Sequence, residues 1–146
     1  MSEFSIRTAG EADLERVARL HYDVREASLP YLPRIRTLEE VVRSFPAVLR
    51  ECNVLVAERD GAIVGYCAFR TGWLEHLYVH AAHQRQGIGA ALLDRALRAT
   101  GSCKLWVFQR NRDAIRFYER QGFTRVRTTE GENEEREPDA LYEKRL

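Results

Sequence analysis

The residues best placed for chemistry lie in one run, Tyr78-Val79-His80-Ala81-Ala82-His83-Gln84-Arg85-Gln86-Gly87-Ile88-Gly89-Ala90-Ala91-Leu92-Leu93, where a β-like segment turns through two glycines into an amphipathic helix. Gly87 and Gly89 remove the side chains that would keep a ligand off the backbone. The first-turn amides of a helix have no intrahelical partner and point outward, and the helix dipole adds partial positive charge there. Arg85 supplies a full charge suited to phosphate oxygens. Together they make an anion cradle whose natural guest is a pyrophosphate.

Two common phosphate motifs fit this run poorly. A P-loop ends in Gly-Lys-Ser/Thr, whereas Gly89-Ala90-Ala91 has neither the lysine nor the hydroxyl. A dinucleotide fingerprint needs Gly or Ala where Leu92 stands, and an acid for the ribose about 20 residues on. The next strand-like run ends Val107-Phe108-Gln109, without that acid.

The spacing Gln84-Arg85-Gln86-Gly87-Ile88-Gly89 resembles the acyl-CoA signature Gln/Arg-x-x-Gly-x-Gly/Ala of the GNAT superfamily of N-acyltransferases. A second run, Asn111-Arg112-Asp113-Ala114-Ile115-Arg116-Phe117-Tyr118-Glu119-Arg120-Gln121-Gly122-Phe123, is similar to that superfamily's Asn-x-x-Ala-x-x-Phe-Tyr-x-x-x-Gly-Phe. The resemblance covers the chain from about residue 4 onward, and its sharp part is Glu75 to Phe123.

It implies that acetyl-CoA is the co-substrate. Backbone groups from Leu77 through Tyr78 to Val79 would pair with pantetheine as a strand would. The run Gln84, Arg85, Gln86, Gly87, Ile88, Gly89 and Ala90 would hold the pyrophosphate. Asn111, Ala114, Phe117 and Tyr118 would face the thiol end, since positions three and four apart share a helix face. Tyr118 is the candidate general acid: a phenol near pKa 10 can protonate a thiolate whose thiol is near 8.5 with a small uphill step.

For the general base the alternatives stay open. Glu75 matches a glutamate of this strand in the superfamily, and alternation gives its side chain the direction of Leu77 and Val79, opposed by His76 and Tyr78. A carboxylate and an alkylammonium differ by roughly six pKa units, so Glu75 would act through water, with a raised pKa, or by holding the cation. His80 at the strand end is another candidate base. His76, His80 and His83 do not read as a metal site, because strand residues four apart lie about 13 Å from each other. For the acceptor amine, Tyr31, Leu32, Arg34 and Glu75 are candidate contacts, with Arg36 beside them. The acidic run Glu130 to Glu137 is either a solvated hairpin or a lip that draws in a cation.

The elements that must position these groups follow from periodicity. Phe4 to Arg7 reads as a strand, and Leu14, Val17, Ala18, His21 and Val24 recur at helical spacing from Glu11. His21 reads as a core or rim residue. Pro30 and Pro33 mark a loop before a second helical pattern over Leu38 to Leu49, where Pro46 predicts a kink or two short helices. Asp60-Gly61 between two apolar runs predicts a hairpin. Trp73 to His80 is the next strand, Gly87 to Thr100 a helix stopped by Gly101, Lys104 to Phe108 a strand, and Asn111 the cap of a fourth helix ending near Gly122. Phe123 to Thr128 and Ala140 to Leu146 close the chain as a strand pair. This β-α-α-β-β-β-α-β-α-β-β order predicts an α/β (α+β) fold: a mixed, mostly antiparallel sheet of six to seven strands with about four helices on its two faces.

With 146 residues, 45% hydrophobic and 31% charged, the chain suits one domain spanning residues 1–146. A formal charge of +1 with interspersed signs gives no footprint for nucleic acid or an anionic membrane. No apolar run approaches the roughly 20 residues of a membrane span, and the start lacks a signal-peptide pattern, so a cytoplasmic location is expected. Cys52, Cys67 and Cys103 read as reduced core thiols. The expected activity is N-acetyl transfer to a primary amine of a small molecule or peptide, by a monomer or homodimer without metal. The alternatives are a non-catalytic acyl-CoA-binding or regulatory module, and a nucleotide-binding domain that keeps only the anion cradle.

Overall fold

The computed structural model describes residues 3–33 and 36–145. Seven strands form one sheet: β1 (Ser5–Thr8), β2 (Asn53–Arg59), β3 (Ala62–Arg70), β4 (Trp73–Val79), β5 (Ser102–Phe108), β6 (Thr124–Thr129) and β7 (Asp139–Arg145). Their spatial order is β1-β2-β3-β4-β5-β7-β6, antiparallel everywhere except between β4 and β5. Helices α1 (Leu14–Ser28) and α2 (Leu38–Glu51) cover one face, and α3 (Ile88–Thr100) and α4 (Arg112–Arg120) the other. This is the mixed, mostly antiparallel sheet with four helices that the sequence predicts. Among the described residues no helix is long and apolar enough to cross a membrane.

Each face has its own core. Leu92, Leu93, Ala96 and Leu97 of α3 pack with Tyr118 of α4 on Leu55, Cys67, Leu105 and Val107. Val17, Ala18 and Val24 of α1 pack with Val41 and Phe45 of α2 on Val54, Val56, Tyr66 and Ala68. The β2–β3 hairpin turns at Asp60 and Gly61, both at positive φ, as the Asp-Gly pair predicts.

Helix α2 runs through Pro46 as one element, so the expectation of two short helices is not met. Its start is fixed by a reciprocal cap: Glu40 N donates to Thr37 Oγ1 at 3.2 Å, and Thr37 N donates to Glu40 Oε1 at 3.0 Å. Val41 and Phe45 bury just before the proline, and that anchorage outweighs the one ladder bond a proline removes.

The turn into α1 is held by Asp13, whose buried carboxylate accepts two bonds from Arg7 at 2.8 Å, one from Arg16 at 2.9 Å and one from the Gly10 amide at 2.8 Å. The Arg7 hydrogen bonds, with that amide, hold its carboxyl well below the usual carboxylate range. A group shifted this way stabilises the fold at pH values above its unfolded pKa and loses that contribution as pH falls. Asp13→Asn is therefore expected to cost about 2 kcal/mol at neutral pH, and the gap to the parent should begin to narrow below about pH 4 and close only as pH falls through the much lower folded-state value. Urea melts of both proteins at about pH 7, pH 4 and pH 2 check this; a gap that does not narrow between about pH 4 and pH 2 contradicts it.

Candidate functional site

Strands β4 and β5 meet only at Trp73 and Lys104, reinforced by the Lys104 amide on Gly72 O at 2.9 Å. Beyond that point β5 stays with β7 along its whole length while β4 stays with β3, so the sheet opens into a wedge between Leu77–Val79 and Leu105–Phe108. The edge of β4 that lines this wedge offers backbone groups to an extended guest.

The glycine turn sits at the top of the wedge. Gly87 caps α3 at φ 86°, a left-handed conformation that favours glycine. The first ladder bond of α3 runs from Ala91 N to Gly87 O at 3.0 Å, which leaves the amides of Ile88, Gly89 and Ala90 free of intrahelical partners. A Cβ on Gly89 would lie 3.5 Å from the Phe117 ring and 3.8 Å from Val79, so this position faces the gap between β4 and α4. Ile88 points into the core and contributes only its amide. Arg85 is exposed at φ 63°, free to reach an anion. Gln84, also exposed, is tied down instead: its Nε2 donates to Val79 O at 2.8 Å, fastening the loop to the end of β4.

Across the same open end, just past the C-terminus of the parallel β5, Asn111 caps α4 by accepting from the Ala114 amide at 3.3 Å. Tyr118 packs between Phe117 and Phe123, with ring centroids at 5.3 and 5.6 Å. Burial pushes its phenol well above the ordinary value, and Tyr78, Cys103 and Cys67 add to the shift. The proton is therefore held firmly at neutral pH. Burial also pushes the Cys67 thiol up to about 12 and the Cys103 thiol up to about 11. Both are poor nucleophiles in that state.

Glu75 departs from the sequence expectation. The β3–β4 register shifts between Ala68 and Phe69, which pair with His76 and Leu74 and leave Glu75 as the extra residue of a bulge. Leu74 thereby joins Leu77 and Val79 in one core, and Glu75 turns away from them. Its carboxylate accepts from Arg70 Nε at 2.9 Å and lines a cavity of about 480 Å³ with Val48, Cys52 and His76.

The histidines fall into structural places. His21 meets the Tyr66 hydroxyl through Nδ1 at 2.6 Å and stacks on Tyr78 with centroids 4.4 Å apart. Burial pushes its pKa down to about 3, with His76 the next cause, so it stays neutral. The Tyr78 side chain therefore faces α1, and only its backbone can line the wedge. His80 caps the short turn Ala81–His83 by accepting from the Ala82 amide on Nδ1 at 3.1 Å, so in the neutral ring the proton sits on Nε2, which is a donor and not a base. Among the described residues no group of three metal-ligating side chains gathers.

On the acceptor side the acidic run is not a free anionic lip. Glu135 pairs with Arg25 at 3.3 Å, Glu134 with Arg36 at 3.3 Å, and Glu137 with Arg110 through two bonds of 2.9 and 3.0 Å. Arg110 also lies 4.0 Å above the Tyr31 ring, whose buried hydroxyl has no hydrogen-bond partner among the described residues, and Leu32 is buried beside that loop. Arg34 lies outside the described residues. Beneath the hairpin, Trp106, Phe108, Arg127, Asn133 and Glu135 line a cleft of about 420 Å³. Trp106 and Phe108 were not singled out from the sequence. Strand alternation opposite Leu105 and Val107 is the signal that marks them, together with the exposure of so large a ring.

The chain is thus an α/β domain built on a split mixed sheet whose opening runs from a glycine-rich helix start to a buried tyrosine. A family model described as an acetyltransferase (GNAT) domain matches residues 50–125, and the chain belongs to the GNAT family. It is 32% identical over 144 residues to a Mycobacterium tuberculosis protein named a probable N-acetyltransferase, covering 84% of this chain and 80% of that one. It is 28% identical over 119 residues to the peptidyl-lysine N-acetyltransferase YiaC of Escherichia coli, covering 81% and 82%. A Salmonella typhimurium structure solved with acetyl-CoA superposes with a TM-score of 0.75 at 23% identity, over 99% of this chain and 95% of that one.

Proposed function

We propose that this protein transfers an acetyl group from acetyl-CoA to a primary amine of a small molecule or peptide, by direct attack of the amine and without a covalent enzyme intermediate. The observation that carries this reading is the continuous wedge from the free amides of α3 to the Tyr118 phenol. Acetyl-CoA in the Salmonella structure and lysine acylation in the name of the Escherichia coli relative support it.

The residues present fit such a co-substrate. The amides of Ile88, Gly89 and Ala90 with Arg85 would hold the pyrophosphate, and a side chain at Gly89 would fill that place. The β4 edge at Leu77 and Val79 would hold pantetheine, and Asn111, Ala114 and Phe117 would line the thiol end. When bound, acetyl-CoA supplies an activated thioester. The Val79 region of β4 offers backbone dipoles to the acyl oxygen, and Tyr118 holds the proton that a departing thiolate needs. Cys67 and Cys103, buried and protonated, leave direct attack as the supported route.

The amine enters from the cleft at Trp106, Phe108 and Glu135. Glu75, paired with Arg70 on the far side of its bulge, contributes through water and not by contact. Glu75→Gln is accordingly expected to lower kcat/KM by less than about tenfold, a small effect beside loss of a directly placed acid or base. A fall of several orders of magnitude would put its carboxylate at the amine.

The decisive experiment is calorimetric titration with acetyl-CoA, followed by free-thiol release against amines, amino acids, peptides and aminoglycosides. Binding with amine-dependent release supports the proposal; binding without release for every acceptor favours a non-catalytic acyl-CoA-binding module; no binding overturns it.

A further inference from the structure

Arg59 ends β2 with its guanidinium beneath the loop that leads into α3, and it is only 9% exposed. Its Nη1 donates to Gln86 Oε1 at 2.6 Å and lies 3.0 Å from His83 Nδ1, while the Phe4 ring sits 5.9 Å below. Its Nε is buried and has no hydrogen-bond acceptor. A cation withdrawn from water usually rests on a carboxylate. Among the described residues its polar partners are neutral groups, and both belong to the loop.

That is a poor arrangement for stability alone, because an incompletely satisfied buried charge costs free energy. It is a good arrangement for holding a loop that local propensity does not hold. His83 and Gln86 bracket Gln84 and Arg85, and two of the three residues from Arg85 to Gly87 sit at positive φ. Gln84, bonded to Val79 O, anchors the other side of the same turn. Both contacts come from the one nitrogen Nη1, whose two N–H groups serve a ring nitrogen and an amide oxygen together.

We propose that Arg59 is a positioning residue of the cofactor cradle: by holding Gln86 and His83 it fixes Arg85 and Gly87 in their left-handed conformations, so that the first-turn amides of α3 converge on the pyrophosphate. The assignment rests on the cradle being a CoA site, as proposed above. Arg59 touches no reacting atom and acts through the loop. Its effect is accordingly confined to the phosphorylated half of the co-substrate.

Two donors separate this role from a merely structural one: acetyl-CoA, and the acetyl thioester of N-acetylcysteamine, which has the thioester and no phosphate. In Arg59→Met and Gln86→Met, CoA affinity by calorimetry and KM for acetyl-CoA should each worsen about tenfold. KM for the truncated donor should stay level. The double variant should be no weaker than the worse single one, since both remove one contact. Arg59→Lys, which keeps a charged nitrogen with several donors on a shorter side chain, should recover part of the loss. Unchanged CoA affinity in both single variants overturns the proposal, as does an equal loss with both donors accompanied by a lowered melting temperature. Should Arg59→Met fail to fold, Gln86→Met, a half-buried loop residue, decides the matter alone. A parent protein that binds no CoA sinks the cofactor reading and this assignment with it; a parent that binds while the variants match it sinks this assignment only.

Discussion

Gly89→Glu is expected to abolish measurable CoA binding while the protein stays folded. A Cβ at this position meets Phe117 at 3.5 Å and Val79 at 3.8 Å, ordinary contact distances, so the backbone tolerates a side chain. What it does not tolerate is the rest of a glutamate in the space between β4 and α4. A carboxylate placed at the start of α3 would take up the free amides itself, as acids do at helix N-termini, and would face the pyrophosphate across a few ångströms. Occupied donors and like-charge repulsion act together, giving a loss of at least about a hundredfold in affinity. The thermal midpoint should not fall, because an acid in the first turn favours the helix. Gly89→Ala gives the contrast: it fills little, adds no charge, and should lose far less affinity. Calorimetry on the two variants beside the parent checks the pair. Equal CoA affinity in Gly89→Glu and the parent would remove the cradle assignment.

How much of this site the sequence disclosed depends on how local its causes are. The glycine turn and the Asn111 cap are written within a few residues of themselves, and both stand where the sequence places them. The opening of the wedge was legible only through the family resemblance, since nothing in either strand says that β4 and β5 part after one pair. Glu75 was misdirected because strand alternation assumes an unbroken ladder, and the bulge that reverses it comes from pairing with Ala68 and Phe69. The acidic run looked free because its arginine partners lie far off in the chain, Arg25 on α1 and Arg110 after β5. Arg59 sat beside an Asp-Gly turn, where an arginine ordinarily reads as solvated. Only the fold brings it beneath His83 and Gln86.

Tyr118→Phe should leave acetyl-CoA binding unchanged and lower kcat by about a hundredfold or more, the usual worth of a positioned acid. The change removes one oxygen and keeps the ring that packs at 5.3 Å from Phe117 and 5.6 Å from Phe123, so the site keeps its shape. Burial makes the phenol a reluctant donor as well as a reliable one, since the force that keeps it protonated also opposes giving the proton away. With ordinary values near 10 for the phenol and 8.5 for the thiol, the transfer is uphill by about 2 kcal/mol before any burial. A thiolate leaving into the same dry wedge is raised too, which brings the two acids back toward each other. The step is therefore sensitive to the leaving group. Acetyl thioesters of more acidic thiols need the proton less, and the penalty of Tyr118→Phe should shrink as thiol pKa falls. A second mark is the pH profile: a phenol pushed above its ordinary value stays protonated through the neutral and mildly alkaline range, so the parent should show no alkaline loss from Tyr118 below about pH 10. A constant penalty across a series of leaving groups would show that the hydroxyl orients the thioester instead of protonating it.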